Sequence, residues 1–508
     1  MDKPHILRLN DADNIVVAIA DLPAGTPVEG GIRATRRIPR GHKIAAGAIA
    51  QGTPIRKFGQ IIGFASTDIA PGDWVHEQNV TMGGDFERDY AFSSGARPPE
   101  GLRQGEAPAH FAGFRRPDGR VGTRNYIGIL SSVNCSATVV DYIADQAMRS
   151  GMLDDHPHID GIVALPHGQG CGMASKGESY DLLARTQWGY ASHPNFAAVL
   201  LVGLGCEVFQ IARLKDIYGI AEGDHFQSLT IQDTGGTRKA IDAGVERLRD
   251  LLPVAARARR EAVPASELTL ALQCGGSDGY SSLTANPALG VAADTLVRHG
   301  GTAILSETPE IFGAEHLLTR RAETPAIGQQ IVDLIDWWTD YTTRNGGEMN
   351  NNPSPGNKAG GLTTILEKSL GAVAKGGTST LRGVYKYAER IDRKGFVYMD
   401  TPGYDPVAAT GQVAGGANVL CFTTGRGSAY GCKPVPSIKL ATNTPLFQRM
   451  GDDMDINCGD IVDGVSLEDK GAQIFDTILA TASGQKTKSE DLGYGRNEFV
   501  PWQIGAVM

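Results

Sequence analysis

Residues 1–95 alternate short apolar runs with Pro-Gly turns. Asn14-Ile-Val-Val-Ala-Ile19 is a β-branched apolar run that predicts a buried strand, and Leu22-Pro-Ala-Gly25 is a turn. Ile38-Pro-Arg-Gly-His-Lys43 is echoed by Ile69-Ala-Pro-Gly-Asp-Trp74, with another turn at Ala50-Gln-Gly-Thr-Pro54 between them. Short strands broken by such turns predict a compact β-rich unit, a small barrel or β-clip. Ser93-Ser-Gly-Ala-Arg-Pro-Pro-Glu-Gly101 is turn-rich and poor in large apolar residues, so 96–108 reads as a linker.

From residue 109 the rhythm changes. Continuous apolar runs at 126–130, 161–165, 197–202 and 226–231 predict buried strands, and 137–152 and 239–252 have helical periodicity. Such strands separated by helices imply a parallel sheet covered on both faces. A charged helical stretch at 255–261 leads to Val263-Pro-Ala-Ser, where the lobe 109–262 gives way to a second, 263–508. Strands are expected there at 268–272, 302–305, 396–399, 419–423 and 437–440. The fold class is therefore α/β: a small β-rich N-terminal domain followed by two lobes with largely parallel sheets. The polar, Asn/Gly-rich stretch 343–361 is a loop long enough to suggest a role in the site.

Composition changes this picture in two places. Glycine is 65 of 508 residues, well above the usual ~7%, and the glycines sit singly or in pairs after apolar segments, as turns and ligand loops require. Cysteine is 7, an odd number in a chain that opens without a secretory signal, so thiols rather than disulfides are expected. The net charge of −9 and the lack of basic clusters argue against nucleic acid. No apolar run is long enough to span a bilayer, and a soluble, cytoplasmic protein is the expectation.

Four cysteines follow predicted strands closely: Cys135, Cys171, Cys206 and Cys274, three of them beside glycine. Taken singly, each is a small apolar filler where strand meets helix. Parallel sheets collect ligands beyond their carboxyl ends, so together the four could share an iron or iron–sulfur site, because soft thiolates favour iron–sulfur or zinc over magnesium. There is no CxxC spacing to support it. Cys421 lies inside a strand and reads as core.

Glycine-rich turns with small polar residues recur at Cys274-Gly-Gly-Ser-Asp-Gly279, Ser354-Pro-Gly-Asn-Lys358 and Thr423-Thr-Gly-Arg-Gly-Ser428. They supply amides, hydroxyls and cations suited to a polyhydroxy carboxylate, and Arg426 can grip a carboxylate as a fork. No phosphate or dinucleotide motif is present. His42 and His167 each sit in a Gly-flanked turn, His76 lies in another, and His193 reads as a surface position. Glu307, Glu310 and Glu315 read as a solvated helix start.

Taken in order, these phrases resemble the altronate/galactarate dehydratase family nearly end to end. The N-terminal unit, with Gly41-His42-Lys43, resembles a SAF domain. Gly113-Phe-Arg-Arg-Pro-Asp-Gly-Arg-Val-Gly-Thr-Arg-Asn125 through Gly203-Leu-Gly-Cys-Glu207 resembles the family's second domain. Cys274-Gly-Gly-Ser-Asp-Gly279, Asn352-Pro-Ser-Pro-Gly-Asn-Lys358 and Thr424-Gly-Arg-Gly427 resemble its C-terminal domain. Glu307-Thr-Pro-Glu-Ile-Phe-Gly-Ala-Glu315 leans to the altronate branch, and Met454-Asp-Ile-Asn-Cys-Gly459 to the galactarate branch.

The resemblance implies an iron-dependent hydro-lyase that removes water from a 2,3-dihydroxy sugar acid to give a 2-keto-3-deoxy acid. D-altronate is favoured and galactarate is the alternative. It implies iron, either as a single Fe²⁺ or as a cluster with three thiolates and one open iron; for a cluster, the expected ligands are Cys135, Cys206 and Cys274, with Cys171 spare or beside the substrate. His42, His167 and Lys358 are the expected acid and base groups, with Ser277, Asp278, Asn357 and Arg426 binding the sugar acid. His42 requires the SAF unit to fold over the cleft, so removing residues 1–95 should abolish turnover and leave the rest folded. A sulfo-lyase on the same scaffold and a non-catalytic sugar-acid binding protein are the rival readings. A homodimer is the commonest assembly for soluble oligomers.

Overall fold

The apolar runs that open the chain pair as antiparallel strands, and Ile15–Ala18 is buried on both faces, with Ile15 and Val17 in one core and Val16 and Ala18 in another. The structure, a computed structural model, describes residues 5–83, 90–97 and 101–507; the remaining parts of the expected SAF unit and linker lie outside the described residues. Strands β1 (Ile6–Leu7), β2 (Ile15–Ala18), β3 (Lys43–Ala45), β4 (Pro54–Lys57), β5 (Gln60–Ala65), β6 (Trp74–Val75) and β7 (Val80–Thr81) form two antiparallel sheets. Their orders are β1-β2-β3-β6 and β4-β5-β7. The core between them, Ile15, Val17, Ile55 and Ile62 among others, is completed by Leu283 and Leu370 of the last lobe. Removing residues 1–95 would thus expose apolar surface on the remainder.

β8 (His110–Arg115) and β9 (Val121–Gly122) lead into the middle lobe. Its sheet comprises β10 (Tyr126–Ser131), β11 (Gly161–Leu165), β12 (Phe196–Gly203) and β13 (Phe226–Thr230), all parallel, in the order β11-β10-β12-β13. The charged stretch at 255–261 is helical only to Arg257; from there β14 (Arg260–Pro264) pairs antiparallel with β8. Isolated local periodicity favoured a longer helix, but the edge of β8 offers Arg260–Pro264 its backbone partners.

The last lobe is built on β15 (Thr269–Cys274), β16 (Thr302–Leu305), β17 (Leu381–Tyr385), β18 (Gly395–Met399), β19 (Val419–Thr424), β20 (Ser437–Ala441) and β21 (Ile456–Asn457). These run parallel in the order β17-β18-β16-β15-β19-β20-β21. The chain starts at the centre with β15, adds β16, lays β17 at the edge and β18 between β16 and β17, then returns to the other flank of β15 with β19. That reversal opens a crevice at the carboxyl ends, where α/β folds hold ligands. The two lobes meet through the helices Glu178–Ala191 and Asp405–Ala414. His193, expected on the surface, is buried in this seam, its Nε2 2.9 Å from the Ala417 carbonyl. No helix among the described residues is long and apolar enough to cross a membrane.

Candidate active site

Three adjacent strand ends deliver the chemistry. Cys274 closes β15, Glu307 follows β16 by two residues, and Asp405 opens the helix after β18. Glu307 takes φ 70°, a left-handed backbone that L-residues adopt at a cost of about 1–3 kcal/mol. It is held there by its amide, which donates to Thr401 Oγ1 at 2.9 Å, and by Lys375 Nζ, 3.0 Å from Oε2. Its other oxygen, Oε1, is buried without a hydrogen-bond partner. Lys375 Nζ also lies 2.9 Å from Cys274 Sγ, and Glu310 Oε2 is 3.6 Å from the same sulfur. Lys368 Nζ donates to Glu310 Oε1 at 2.6 Å and to Asn352 Oδ1 at 2.8 Å. The Asp405 carboxylate lies so close over the turn after β15 that a Cβ on Gly275 would be 2.2 Å from Oδ2.

Two ammoniums therefore face three carboxylates and a thiol, nearly all of them buried. Burial pushes the Cys274 thiol up to about 12, so it stays protonated at neutral pH despite Lys375. Burial also raises Glu307 against the pull of Lys375. Asp405 is pushed up to about 7, first by burial and then by the charge of Glu310, with Lys368 and Lys375 opposing. The two lysines move the other way: burial would lower them, but the surrounding acids override it and hold both as ammonium. Cys274, Glu310, Asn352, Asn357, Lys368 and Asp405 line one polar cavity of about 440 Å³. A cavity of about 400 Å³ between the lobes, with Arg120, Trp188 and Arg390 in its walls, contains none of these groups.

The SAF unit docks beside this crevice. The Gly41 turn lies so close to the last lobe that a Cβ on Gly279 would sit 2.1 Å from the Gly41 carbonyl oxygen. Lys43 Nζ reaches the Gly361 carbonyl at 2.6 Å and Glu367 Oε2 at 2.7 Å, and Lys57 Nζ binds Glu367 Oε1 at 3.0 Å.

The sequence-predicted residues divide on contact with the structure. His42 is buried in the docking seam with both ring nitrogens engaged: Trp74 Nε1 donates to Nδ1 at 3.1 Å, and Nε2 lies 3.4 Å from the Ala359 carbonyl. Burial, with Lys43 adding, pushes it down to about 4. His167 is engaged in the same way, with Nε2 2.8 Å from the Ser131 carbonyl and Nδ1 accepting from the Gln169 amide. Neither ring has a nitrogen without a partner in this arrangement. His76, in contrast, stacks on Trp74 and has Nδ1 buried without a partner.

Lys358 lies 3.6 Å from Glu77 of the SAF unit, next to the cavity-lining Asn357. Asp278 accepts from Tyr280 and Ser281 amides, Thr442 Oγ1 and Asn443 Nδ2, so both of its oxygens tie loops together. Asn357 caps its own short helix and donates to the carbonyl of Ser277, yet also lines the cavity. Ser277 is buried, and Arg426 is exposed with its amide on the Gly276 carbonyl.

The four cysteines do not form one set. Cys274 is buried in the seven-stranded lobe, while Cys135, Cys171 and Cys206 are exposed at the edge of the four-stranded one. Among the described residues, the only three-donor group of His, Cys, Asp or Glu within 4.8 Å is Cys274, Glu307 and Glu310. The acids expected as a solvated helix start are instead fully buried, Glu307 and Glu315 at 0% exposure and Glu310 at 2%. Their signal in the sequence was their place two to ten residues after an apolar strand; Lys368, Lys375 and Asp405 gave none.

Three family descriptions match the chain in order. These are the altronate/galactarate dehydratase SAF domain over residues 4–83, the D-galactarate dehydratase/altronate hydrolase second domain over 113–256, and the D-galactarate/altronate dehydratase C-terminal domain over 265–507. The galactarate dehydratase (L-threo-forming) of Escherichia coli strain K12 is 38% identical over 501 residues, covering 96% of this chain and 94% of the relative. The altronate dehydratase of Bacillus subtilis strain 168 is 34% identical over 497 residues, 97% of each. The (2R)-sulfolactate sulfo-lyase subunit beta of Chromohalobacter salexigens is 31% identical over 395 residues, 77% of this chain and 96% of the relative. With every lobe accounted for, the chain belongs to the D-galactarate/altronate dehydratase family.

Proposed function

We propose that this protein removes water from a 2,3-dihydroxy sugar acid, with D-altronate as substrate, to give a 2-keto-3-deoxy acid. The observation that carries the reading is a carboxylate poised near pH 7, Asp405, sharing a polar cavity with the ammonium of Lys368. The C2 proton is weakly acidic because it lies beside a carboxylate, and the C3 hydroxyl leaves poorly. Lys368 has three N–H donors and spends two on Glu310 and Asn352, leaving one for the substrate carboxylate, where negative charge builds as C2 is deprotonated. Asp405 takes the C2 proton, and the same carboxyl returns it to the departing hydroxyl, so water leaves and the base is regenerated. The enol then tautomerises to the 2-keto acid.

Lys368 is the cation among the cavity's described lining residues, beside Glu310, Glu348 and Asp405. One substrate carboxylate suits that balance, and the second carboxylate of an aldarate would meet acids; this favours altronate over galactarate. The higher identity to a galactarate dehydratase favours the second reading. Iron is the cofactor the family resemblance implies. Cys274, Glu307 and Glu310 do not suit it, because the Lys375 ammonium already lies 2.9 Å from the sulfur and 3.0 Å from the Glu307 carboxylate.

The test is to incubate anaerobically prepared, iron-supplied protein with D-altronate and with galactarate separately, and to measure 2-keto-3-deoxy acid. Turnover of altronate is expected. Turnover of galactarate alone would transfer the assignment to the second reading, and sulfite release from sulfolactate with neither sugar acid consumed would refute both.

A further inference from the structure

The cavity of about 400 Å³ between the lobes is built by both of them. Arg120 comes from the turn between β8 and β9, and Arg185 and Trp188 from the helix Glu178–Ala191. The last lobe supplies Glu389, Arg390 and Lys394 from the stretch between β17 and β18. Clefts of this size at lobe boundaries hold small organic molecules rather than bare ions. Some of its polar lining is already satisfied. Asn418 Nδ2 donates to the Val121 and Glu267 carbonyls, and its Oδ1 accepts from the Thr269 amide. His193 is engaged through both ring nitrogens, and burial pushes it down to about 3, so it is uncharged at neutral pH.

The guanidiniums are not satisfied in this way. Arg390 makes no hydrogen bond or ion pair among the described residues, and its pKa is lowered by partial burial and by the charge of Arg120, with Asp118 opposing. Arg185 donates through Nε to the Tyr387 carbonyl at 2.9 Å, which leaves its terminal nitrogens to the cavity. Arg120 pairs with Asp118, and Lys394 donates to the Ser266 carbonyl. Four cations therefore stand against Glu267, Glu389 and Asp118, and Glu389 is turned to the amide of Lys386 at 2.8 Å. Surplus positive charge with unspent N–H donors selects an anion. Donors from three separate elements suit the tetrahedral oxygens of a phosphate better than the two coplanar oxygens of a carboxylate. Trp188 and Tyr218 add a stacked pair, with ring centroids 5.4 Å apart and planes 21° apart, and Val121 and Ile391 extend that apolar wall.

One helix joins this cavity to the catalytic one. Asp405 opens the helix Asp405–Ala414 and lines the catalytic cavity, while Ala414, Gly415 and Gly416 at its far end line the inter-lobe cavity. The 10 residues of the helix separate the two by about 15 Å. The helix Glu178–Ala191 presses on that far end, where a Cβ on Gly189 would sit 2.4 Å from the Ala414 carbonyl oxygen. A ligand bound between the lobes therefore bears on the helix that carries Asp405.

We infer that the inter-lobe cavity is an effector site for a nucleoside monophosphate, with the phosphate on Arg120, Arg185 and Arg390 and the base against Trp188 and Tyr218. The bound ligand clamps the lobes and steadies the helix Asp405–Ala414. The site itself rests on the cavity alone; its regulatory meaning rests on the reading of Asp405 as the base.

The test needs no turnover. Calorimetry on the full-length protein would compare adenosine monophosphate, ribose 5-phosphate and inorganic phosphate. The nucleotide should bind saturably and about tenfold more tightly than ribose 5-phosphate, because only it carries a base to stack. Arg390→Ala, at an exposed side chain, should weaken the nucleotide by about tenfold or more, and Trp188→Leu should erase its advantage over ribose 5-phosphate. Lys368→Met, which removes the cation of the catalytic cavity, should leave nucleotide binding unchanged; circular dichroism checks that each variant is folded. Amide hydrogen exchange over residues 405–416 should slow when the nucleotide is added. Absent nucleotide binding, binding that survives Arg390→Ala or is lost in Lys368→Met, an advantage that persists in Trp188→Leu, or inorganic phosphate binding as tightly as the nucleotide overturns the site. Unchanged exchange at 405–416 with the nucleotide bound overturns the link to the helix. Failure of both sugar acids to react, with nucleotide binding intact, would count against the dehydratase reading alone.

Discussion

Replacing Glu367 by Gln should unlatch the SAF unit from the lobe that carries the site. Glu367 is 2% exposed and accepts four hydrogen bonds: Lys43 Nζ at 2.7 Å, Lys57 Nζ at 3.0 Å, and the Thr363 amide and hydroxyl at 3.0 and 2.8 Å. Burial alone would raise its pKa, but the two lysines override it and hold the carboxyl well below the usual carboxylate range. Gln keeps the volume and one oxygen but removes the charge, leaving two buried ammoniums uncompensated. Lys43 retains the Gly361 carbonyl at 2.6 Å. Removing one partner of a buried pair costs about 3–5 kcal/mol, and the retained contacts place this change near ~3 kcal/mol. That is about a 150-fold increase in local opening. Because a chain of several lobes need not unfold in one step, the assay is amide hydrogen exchange resolved by segment. β3 and β4 should exchange about a hundred-fold faster, while β10 and β12 stay unchanged. Lowering the pH below about 4.5 should loosen the wild-type latch in the same segments, since a depressed carboxyl gives stability that is lost as it protonates, and the variant should lack that dependence. A change of less than about threefold in exchange would show that the ion group does not fasten the seam.

Asp405→Asn should lower kcat by about 10²–10⁴-fold with little change in KM. It should also abolish the rise of kcat/KM with pH centred near 7, because the base must be ionised. A variant within tenfold of wild type would remove Asp405 from the mechanism. The same raised pKa predicts that stability falls as pH climbs from about 4 to about 7, where unfolded Asp ionises and folded Asp405 does not; the Asn variant should flatten that slope in denaturant titrations. Gly279→Ala places a methyl 2.1 Å from the Gly41 carbonyl, so the SAF turn must shift, and the expected cost is about 1–3 kcal/mol. A crystal structure of that variant with an unmoved turn would refute the contact.

Much of the frame was legible because strands buried on both faces must be continuously apolar. The runs at 161–165 and 302–305 were bounded as the structure has them, and β10, β12, β18, β19 and β20 to within one or two residues. β14 and β17 were not seen, since half of what stabilises them is the neighbouring strand rather than their own side chains. Glycine and cysteine beyond strand ends were also readable, because a parallel sheet allows turns and ligands at that edge alone. What the sequence could not tell was which strand ends share a crevice. Glu307, Glu310, Lys368, Lys375 and Asp405 are ordinary charges along the chain, and they become an acid–base group only when β15, β16 and β18 stand side by side. The same holds for the thiols: four equivalent positions in sequence fall on two different sheets. The sequence by itself determined the layers, the turns and the family. Tertiary structure decided which charges lose their water and beside which partners, and that desolvation sets their pKa values and therefore their chemistry.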